Sequence, residues 1–372
     1  MGIVSTNSKM ADSSRGHIGQ RKAEHLEICV DETNYDVENG STMFDEVRLV
    51  HRALPEINTA DVNTGTEFLS ATIRAPLFIS SMTGGSAEAF KRNKDLARVA
   101  QETGIPVGMG SIRILFRNPE VIHQFELKKI ARDVPVFANI GGVQLPGIDS
   151  AKLVELLKRL EVDAVAVHLN PGQELAQPEG DRNFKGVLDG IRTFCDTCPV
   201  PVIVKETGAG IAPDEAARII EAGARYVDIA GSGGTNWMTV EGFRLPVHQK
   251  DIIDEFEGWG IPTAAALGAF QHAGKDFGDR VLASGGLRTG MHVAKAVALG
   301  ATAAGMALPF IRSVATDGVD GGVKFAERVI GVLKNVMVLT GCTSTEELRQ
   351  LPVITTPAFD AAATGLGGQH RI

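Results

Sequence analysis

After Pro76 the chain repeats one pattern eight times: a short apolar run closing on a small or polar residue, then a stretch with helical spacing. The runs are LFISS (77–81), VGMGS (107–111), VFANI (136–140), DAVAVHL (163–169), VIVKE (202–206), YVDIAG (226–231), VLASGG (281–286) and TAAGMA (302–307). Runs this short and continuously apolar suit strands buried on both faces. Between them, 89–104, 150–162, 214–224 and 291–301 carry apolar residues three and four apart, and several end near a glycine suited to a left-handed cap. EAGARYVDIAG and ALGATAAGMA look like two copies of one such unit. Eight buried strands alternating with helices predict an α/β fold, a parallel sheet closed into a (β/α)8 TIM barrel. The alternative is an open, doubly wound sheet, which usually has fewer strands and a glycine-rich first turn. GGSAEAF (84–90) is not GxGxxG and no Walker A sequence occurs, so the barrel is favoured.

Around the barrel, residues 1–75 read as an N-terminal extension or arm packing on it, 76–345 as the barrel, and 346–372 as a loose, glycine-rich tail. Residues 232–280 read as an insertion with its own helices between the sixth and seventh strands. A chain of 372 residues, 44% hydrophobic, can bury a sizeable core. The formal net charge of −8 argues against nucleic acid or an anionic membrane as partner, and 5% aromatics argue against a stacking platform for single strands. An anionic small substrate remains possible if local cations overcome the global repulsion. Four cysteines make no disulfide framework; Cys195 and Cys198 form a CxxC without a second pair, read as reduced and structural. The longest uncharged stretch, 296–311, is too short and too rich in Ala and Gly to cross a membrane. The first 25 residues lack an apolar signal core, and MGIVST matches the loose myristoylation pattern at Gly2 only as chance matches do. A cytoplasmic location is expected.

In a barrel of this kind the C-terminal strand ends meet on one face, where active sites form. Here they carry SMTGG (81–85), GSIR (110–113), NIGG (139–142), HLNPGQE (168–174), KETG (205–208), GSGGTNW (231–237), SGGLRTG (284–290) and MALPF (306–310). Glycines after the seventh strand and a turn after the eighth fit a phosphate held by backbone N–H groups and a helix N-terminus, although glycines also simply make tight turns. With Lys205 facing an anionic ring edge and Thr83, Ser111 and Asn139 offering hydrogen bonds, flavin mononucleotide fits the arrangement. No one of these residues is strong by itself; the set is stronger than its members.

Together, RKAEH (21–25), SSMTGG, GSIR, ANIGG, HLNPGQE, KETGAG, GSGGTNW with PTAAAL, and ASGGLRTG with GMALP resemble the type 2, FMN-dependent isopentenyl-diphosphate delta-isomerases. The resemblance runs from about residue 15 to 340, with the motifs in the family's order; HLNPGQE joined to RKAEH is its specific part, since the phosphate loops are shared with other FMN barrels. It implies a flavoenzyme interconverting isopentenyl and dimethylallyl diphosphate with reduced FMN and Mg²⁺, no net redox change, and NAD(P)H to prime the flavin. A homo-oligomer, tetramer or octamer, is implied as well. Carried over residue by residue, Glu174 is the metal ligand, and Gln173 and His168 are the catalytic candidates. Arg21, Lys22, His25, Ser111, Arg113, Asn170 and Gln173 are substrate contacts. Ser81, Met82, Thr83, Ser111, Asn139, Lys205, Thr235, Gly286, Leu287, Arg288, Ala307 and Leu308 are cofactor contacts.

The chemistry agrees with those roles. Mg²⁺ typically takes one or two carboxylates plus phosphate oxygens and water, which Glu174 suits. Arg21, Lys22 and Arg113 can neutralise a diphosphate, and His168 can donate to a phosphate oxygen. The first two lie in the extension, which predicts an arm that orders on substrate binding. The reaction implies a tertiary carbocation or something close to it. Gln173 is a neutral amide and a poor acid, so the proton transfers are expected at the cofactor. Three positions depart from the family pattern: Ile112 for a glutamine, Ala230 for a serine and Gly142 for an alanine.

Two rivals remain. An FMN-dependent 2-hydroxy-acid oxidase or dehydrogenase would want a histidine base near an arginine after the sixth strand, yet GSGGTNW offers no histidine before His248. A non-catalytic flavin redox sensor would leave Glu174, Arg21, Lys22 and Arg113 without a reason to converge.

Overall fold

The computed structural model describes residues 21–82, 84–273 and 276–368. Each apolar run becomes a parallel strand whose residues are almost all buried: β4 (Leu77–Ile79), β5 (Val107–Ser111), β6 (Val136–Gly141), β7 (Ala164–His168), β8 (Val202–Lys205), β9 (Tyr226–Asp228), β10 (Val281–Ala283) and β11 (Ala303–Met306). They close in the order β10-β11-β4-β5-β6-β7-β8-β9, the eight-stranded barrel expected. Strand ends align in register, Gly141 beside His168, His168 beside Lys205 and Lys205 beside Asp228, so polar side chains of β7, β8 and β9 emerge at one height.

Helix α1 (21–30) precedes the barrel. Around the barrel lie α2 (Ala87–Thr103), α3 (Ser150–Leu160), α4 (Pro171–Ala176), α5 (Val187–Thr197) and α6 (Pro213–Glu221). The segment between β9 and β10 supplies α7 (Trp237–Gly242), α8 (Val247–Asp254) and α9 (Thr263–His272), as its composition suggested. Two further helices follow β10 and β11: α10 (Gly290–Ala298) and α11 (Leu308–Thr340), the latter broken at Asp317–Gly318, where Gly318 has φ 65°.

The extension does more than lie against the outside. Strands β2 (Thr66–Phe68) and β3 (Ala71–Ile73) form a hairpin that plugs the N-terminal end of the barrel. Phe68 packs on Phe78 at 5.8 Å and Tyr226 at 5.2 Å between ring centroids, inside a cluster with Phe137, Ile203 and Leu282. Among the described residues, that end is filled and the barrel opens toward the C-terminal strand ends.

The tail differs from expectation. After α12 (Thr345–Arg349), β12 (Val353–Thr355) pairs antiparallel with β1 (Val47–Leu49), and α13 (Pro357–Gly367) docks on α9. Phe359 and Ala363 are buried there, and a Cβ on Gly268 would stand 2.7 Å from the Phe359 ring, so that glycine admits the close packing. Residues 369–372, with Gly2 and the rest of 1–20, lie outside the described residues. Among the described residues no helix is long and apolar enough to cross a membrane.

Candidate active site

The strand ends surround a cavity of about 700 Å³. Of the sequence-predicted residues it gathers Arg21, Lys22, His25, Ser81, Met82, Ser111, Arg113, Asn139, His168, Asn170, Gln173, Glu174, Lys205, Thr235, Gly286, Arg288, Ala307 and Leu308 in its wall. Thr83 lies outside the described residues. Leu287 could meet a cofactor only through its backbone: its side chain is fully buried in the core, and its carbonyl accepts from Arg288 Nη1 at 2.7 Å. The reason is the loop after β10: Gly285 and Gly286 take left-handed φ values of 93° and 73°, which turn the chain so that Leu287 packs into the core while Arg288 faces the opening.

HLNPGQE straddles the end of β7 and the first turn of α4. Pro171 starts the helix, which throws Gln173, Glu174 and Gln177 onto the cavity side. Glu174 is buried; its Oε2 accepts from Asp181 N at 2.7 Å and its Oε1 from Asn170 Nδ2 at 3.2 Å. A carboxylate oxygen has lone pairs beyond one such bond, so a cation can still be met. Asn170 Oδ1, buried in the same wall, has no hydrogen-bond partner. An orphaned amide oxygen beside a buried carboxylate fits a hydrated Mg²⁺. Among the described residues no group of three or more His, Cys, Asp or Glu gathers around a point, so further ligands would come from substrate and water.

His168 is held neutral. Burial, then the charges of Lys205, Lys22 and Arg113, push its pKa down to about 3. Its Nδ1 lies 2.6 Å from Asn139 Oδ1, an acceptor, so Nδ1 carries the proton and Nε2 faces out as an acceptor. For His168 to donate to a phosphate oxygen from Nε2, the arriving anion must therefore stabilise the imidazolium and raise its pKa.

Arg21, Lys22 and Arg113 form a cationic arc opposite. Burial and then Arg21 and Arg113 lower the Lys22 pKa to about 8. Arg21 Nη1 bonds Gln177 Oε1 at 3.1 Å and Glu179 Oε1 at 3.2 Å, which ties the arm to the segment that follows α4. From Arg21 on, the described part of the arm is docked.

The sequence reading missed Glu241, on α7. It is fully buried, and its Oε1 accepts from Gln173 Nε2 at 2.9 Å and Gln177 Nε2 at 2.7 Å, with His25 Nε2 at 2.9 Å. Arg244 Nη1 reaches its Oε2 at 2.6 Å. Burial would raise its pKa, but His25, Gln173 and Arg244 outweigh that and hold it near 2. The only signal in the sequence was one carboxylate inside the apolar stretch WMTVEGF. Asp228 was missed too; it receives Ser284 Oγ at 2.8 Å and balances Lys205, while burial raises its pKa.

The other side of the cavity suits a phosphate. Helix α11 starts beside it at Ala307 with no side-chain cap hydrogen bond, leaving first-turn N–H groups open. Gly286 has φ 73°, and a Cβ on it would stand 2.2 Å from Thr42, so the loop after β10 lies flat against the extension. The buried hydroxyls of Ser80 and Ser81, also in the wall, lack partners. These orphan donors fit FMN. Of the departures, Ile112 is core, and Ala230 takes a left-handed φ of 41° at the cavity edge.

Known proteins agree with this geometry. The model of the FMN-dependent dehydrogenase family matches residues 18–115 and 182–355. An isopentenyl-diphosphate delta-isomerase of Borrelia garinii subsp. bavariensis is 41% identical over 334 residues, 90% of this chain and 92% of that protein. One from Methanothrix thermoacetophila is 42% identical over 342 residues, 91% and 93% of the two chains. The chain belongs to the type 2 isopentenyl-diphosphate delta-isomerase family. Solved structures add the fold alone. A Pediococcus acidilactici protein described as a lactate oxidase superposes with TM-score 0.65 at 17% identity, covering 96% of each chain. Mandelate oxidase with (S)-2-phenylpropionate superposes with TM-score 0.61 at 17% identity, covering 90% of this chain and 97% of that one. Cys195 and Cys198 lie outside the cavity wall; burial first, then its neighbours, pushes the Cys195 thiol up to about 12, and burial pushes Cys198 to about 11. Neither is a thiolate at neutral pH.

Proposed function

We propose that this chain interconverts isopentenyl and dimethylallyl diphosphate with reduced FMN and Mg²⁺, primed by NAD(P)H, as a cytoplasmic homo-oligomer. One observation carries the reading: a single cavity has two separate cationic ends, Arg288 by β10 and α11, and Arg21, Lys22 and Arg113 beside β5 and β7, with Glu174 next to the second. One end suits a cofactor phosphate. The other suits a diphosphate whose remaining charge is met by a metal on Glu174.

Reduced FMN, when bound, supplies an electron-rich ring and exchangeable protons beside the reacting carbons. Arg21, Lys22 and Arg113 fix the diphosphate, which places the five-carbon unit deeper in the cavity. Gln173 is held at both ends, its Nε2 by Glu241 and its Oε1 by Asn170 Nδ2 at 3.1 Å, so its amide presents one fixed face. That face orients the hydrocarbon without supplying a strong acid or base.

The 2-hydroxy-acid oxidase reading has the family model and the structural neighbours on its side. Against it, residues 229–247, which follow β9, contain no histidine, and His248 is an exposed residue of α8 outside the cavity wall. A neutral His168 tied to Asn139 is a poor base for that chemistry. Anaerobic incubation of the FMN-loaded, dithionite-reduced protein with isopentenyl diphosphate and Mg²⁺ should yield dimethylallyl diphosphate. Oxidation of lactate or mandelate with no isomerisation would replace this reading with the rival.

A further inference from the structure

The loops assigned to the FMN phosphate already hold a carboxylate. Glu38 lies in the extension, where its backbone bridges Thr235 and the neighbouring Asn236 N donates to Val37 O at 2.8 Å. Its Oε1 accepts from Arg288 Nη2, and its Oε2 lies 3.5 Å from Arg312 Nη1 on α11. The two arginines differ in their other partners. Arg312 also has Glu32 Oε2 at 3.0 Å and donates from Nε to Cys29 O at 3.1 Å. Among the described residues, the carboxylate paired with Arg288 is Glu38 alone, and Arg288 faces the cavity beside Gly286 and the open end of α11.

We propose that Glu38 is an internal stand-in for the FMN phosphate: it neutralises Arg288 while the flavin is absent and releases it to the phosphate when FMN binds, staying paired with Arg312. This rests on the phosphate lying at β10 and α11. A half-buried guanidinium without a counter-charge destabilises the flavin-free protein, so the carboxylate stabilises that state. When the phosphate arrives, two anions cannot share Arg288 without repulsion. Breaking the Glu38 contact then subtracts from phosphate affinity, because a ligand's apparent affinity includes the free energy of freeing its site. Arg312 limits that cost by keeping the freed carboxylate paired.

The test is titration of flavin-free protein with FMN and with riboflavin, which lacks the phosphate, followed by quenching of flavin fluorescence. Glu38→Gln should tighten FMN binding by roughly two- to fivefold, the range of a partly exposed ion pair, and leave riboflavin unchanged. Arg312→Gln, which keeps the Glu38 charge but removes its second partner, should weaken FMN and leave riboflavin unchanged. Weaker FMN binding by Glu38→Gln would make Glu38 a support that aims Arg288, and equal shifts or no shift for both flavins would give it no phosphate role; each result overturns the proposal. Arg288→Ala is the separate control. It should erase the preference for FMN over riboflavin, and if the preference survives, the phosphate placement itself fails, whatever Glu38 does.

Discussion

Gln173 Nε2 donates to Glu241 Oε1 across 2.9 Å, joining α4 to a helix inserted sixty-odd residues later. The same oxygen receives Gln177 and stands beside His25, so arm, α4 and α7 meet at one buried negative charge. A carboxylate there accepts on both oxygens; an amide would keep one accepting oxygen and turn an NH2 donor toward the other donors.

Glu241→Gln should therefore lose the fixed orientation of Gln173. The expected result is a fall in kcat of roughly tenfold or more for isopentenyl diphosphate, with FMN affinity unchanged. An unaltered kcat would show that Gln173 is positioned by other contacts.

The same group sets a pH dependence. Its folded pKa, near 2, is depressed below the ordinary 4.5, so its stabilisation is fully present above about pH 4.5 and is lost as pH falls toward 2. The difference in unfolding free energy between wild type and Glu241→Gln should shrink through that window, by on the order of 3 kcal/mol. Denaturant curves at pH 6, 4 and 3 measure it; a constant difference would remove the charge from the explanation.

Lys22 behaves oppositely. Its pKa is lowered from 10.5 to about 8, so the folded protein releases this proton before the unfolded chain does. Its ammonium destabilises the folded state below about pH 8, a penalty relieved as pH rises from 8 to 10.5. Binding a diphosphate reverses that preference, because the anion favours the charged form. KM should rise as pH climbs through 8, and Lys22→Arg, which stays charged, should flatten the rise. A parallel rise in both proteins would assign the titration elsewhere.

Glu174→Gln should raise the Mg²⁺ concentration needed for half-maximal turnover by about tenfold or more while FMN stays bound, as read from the flavin absorbance of the purified variant. An unchanged metal requirement would take Glu174 out of that role.

Phe68→Ala removes the plug from the N-terminal end of the barrel. It should destabilise the protein by about 3–5 kcal/mol in denaturant unfolding, the cost of a large cavity in a packed core, and leave FMN affinity unchanged. Flavin loss at full stability would mean that the hairpin acts on the site rather than on the core.

The amino-acid sequence alone determined the barrel and most of its mouth. Strands buried on both faces must be continuously apolar, and a closed parallel barrel must present their last residues on one rim, so the motifs at those ends could be assigned to one cavity in advance. What only the tertiary structure decided came from contacts between segments far apart in the chain. Periodicity does not report that Glu241 meets Gln173, that Glu38 meets Arg288, or that Phe68 enters the barrel floor. The tail follows the same logic: TTPAFDAAATGLGG reads as loose until β12 finds β1 and α9 offers Gly268 to Phe359. Leu287 and His168 show the limit within a motif. Neighbouring residues share a spacing, but burial and nearby charge decide which one turns inward and which one holds a proton.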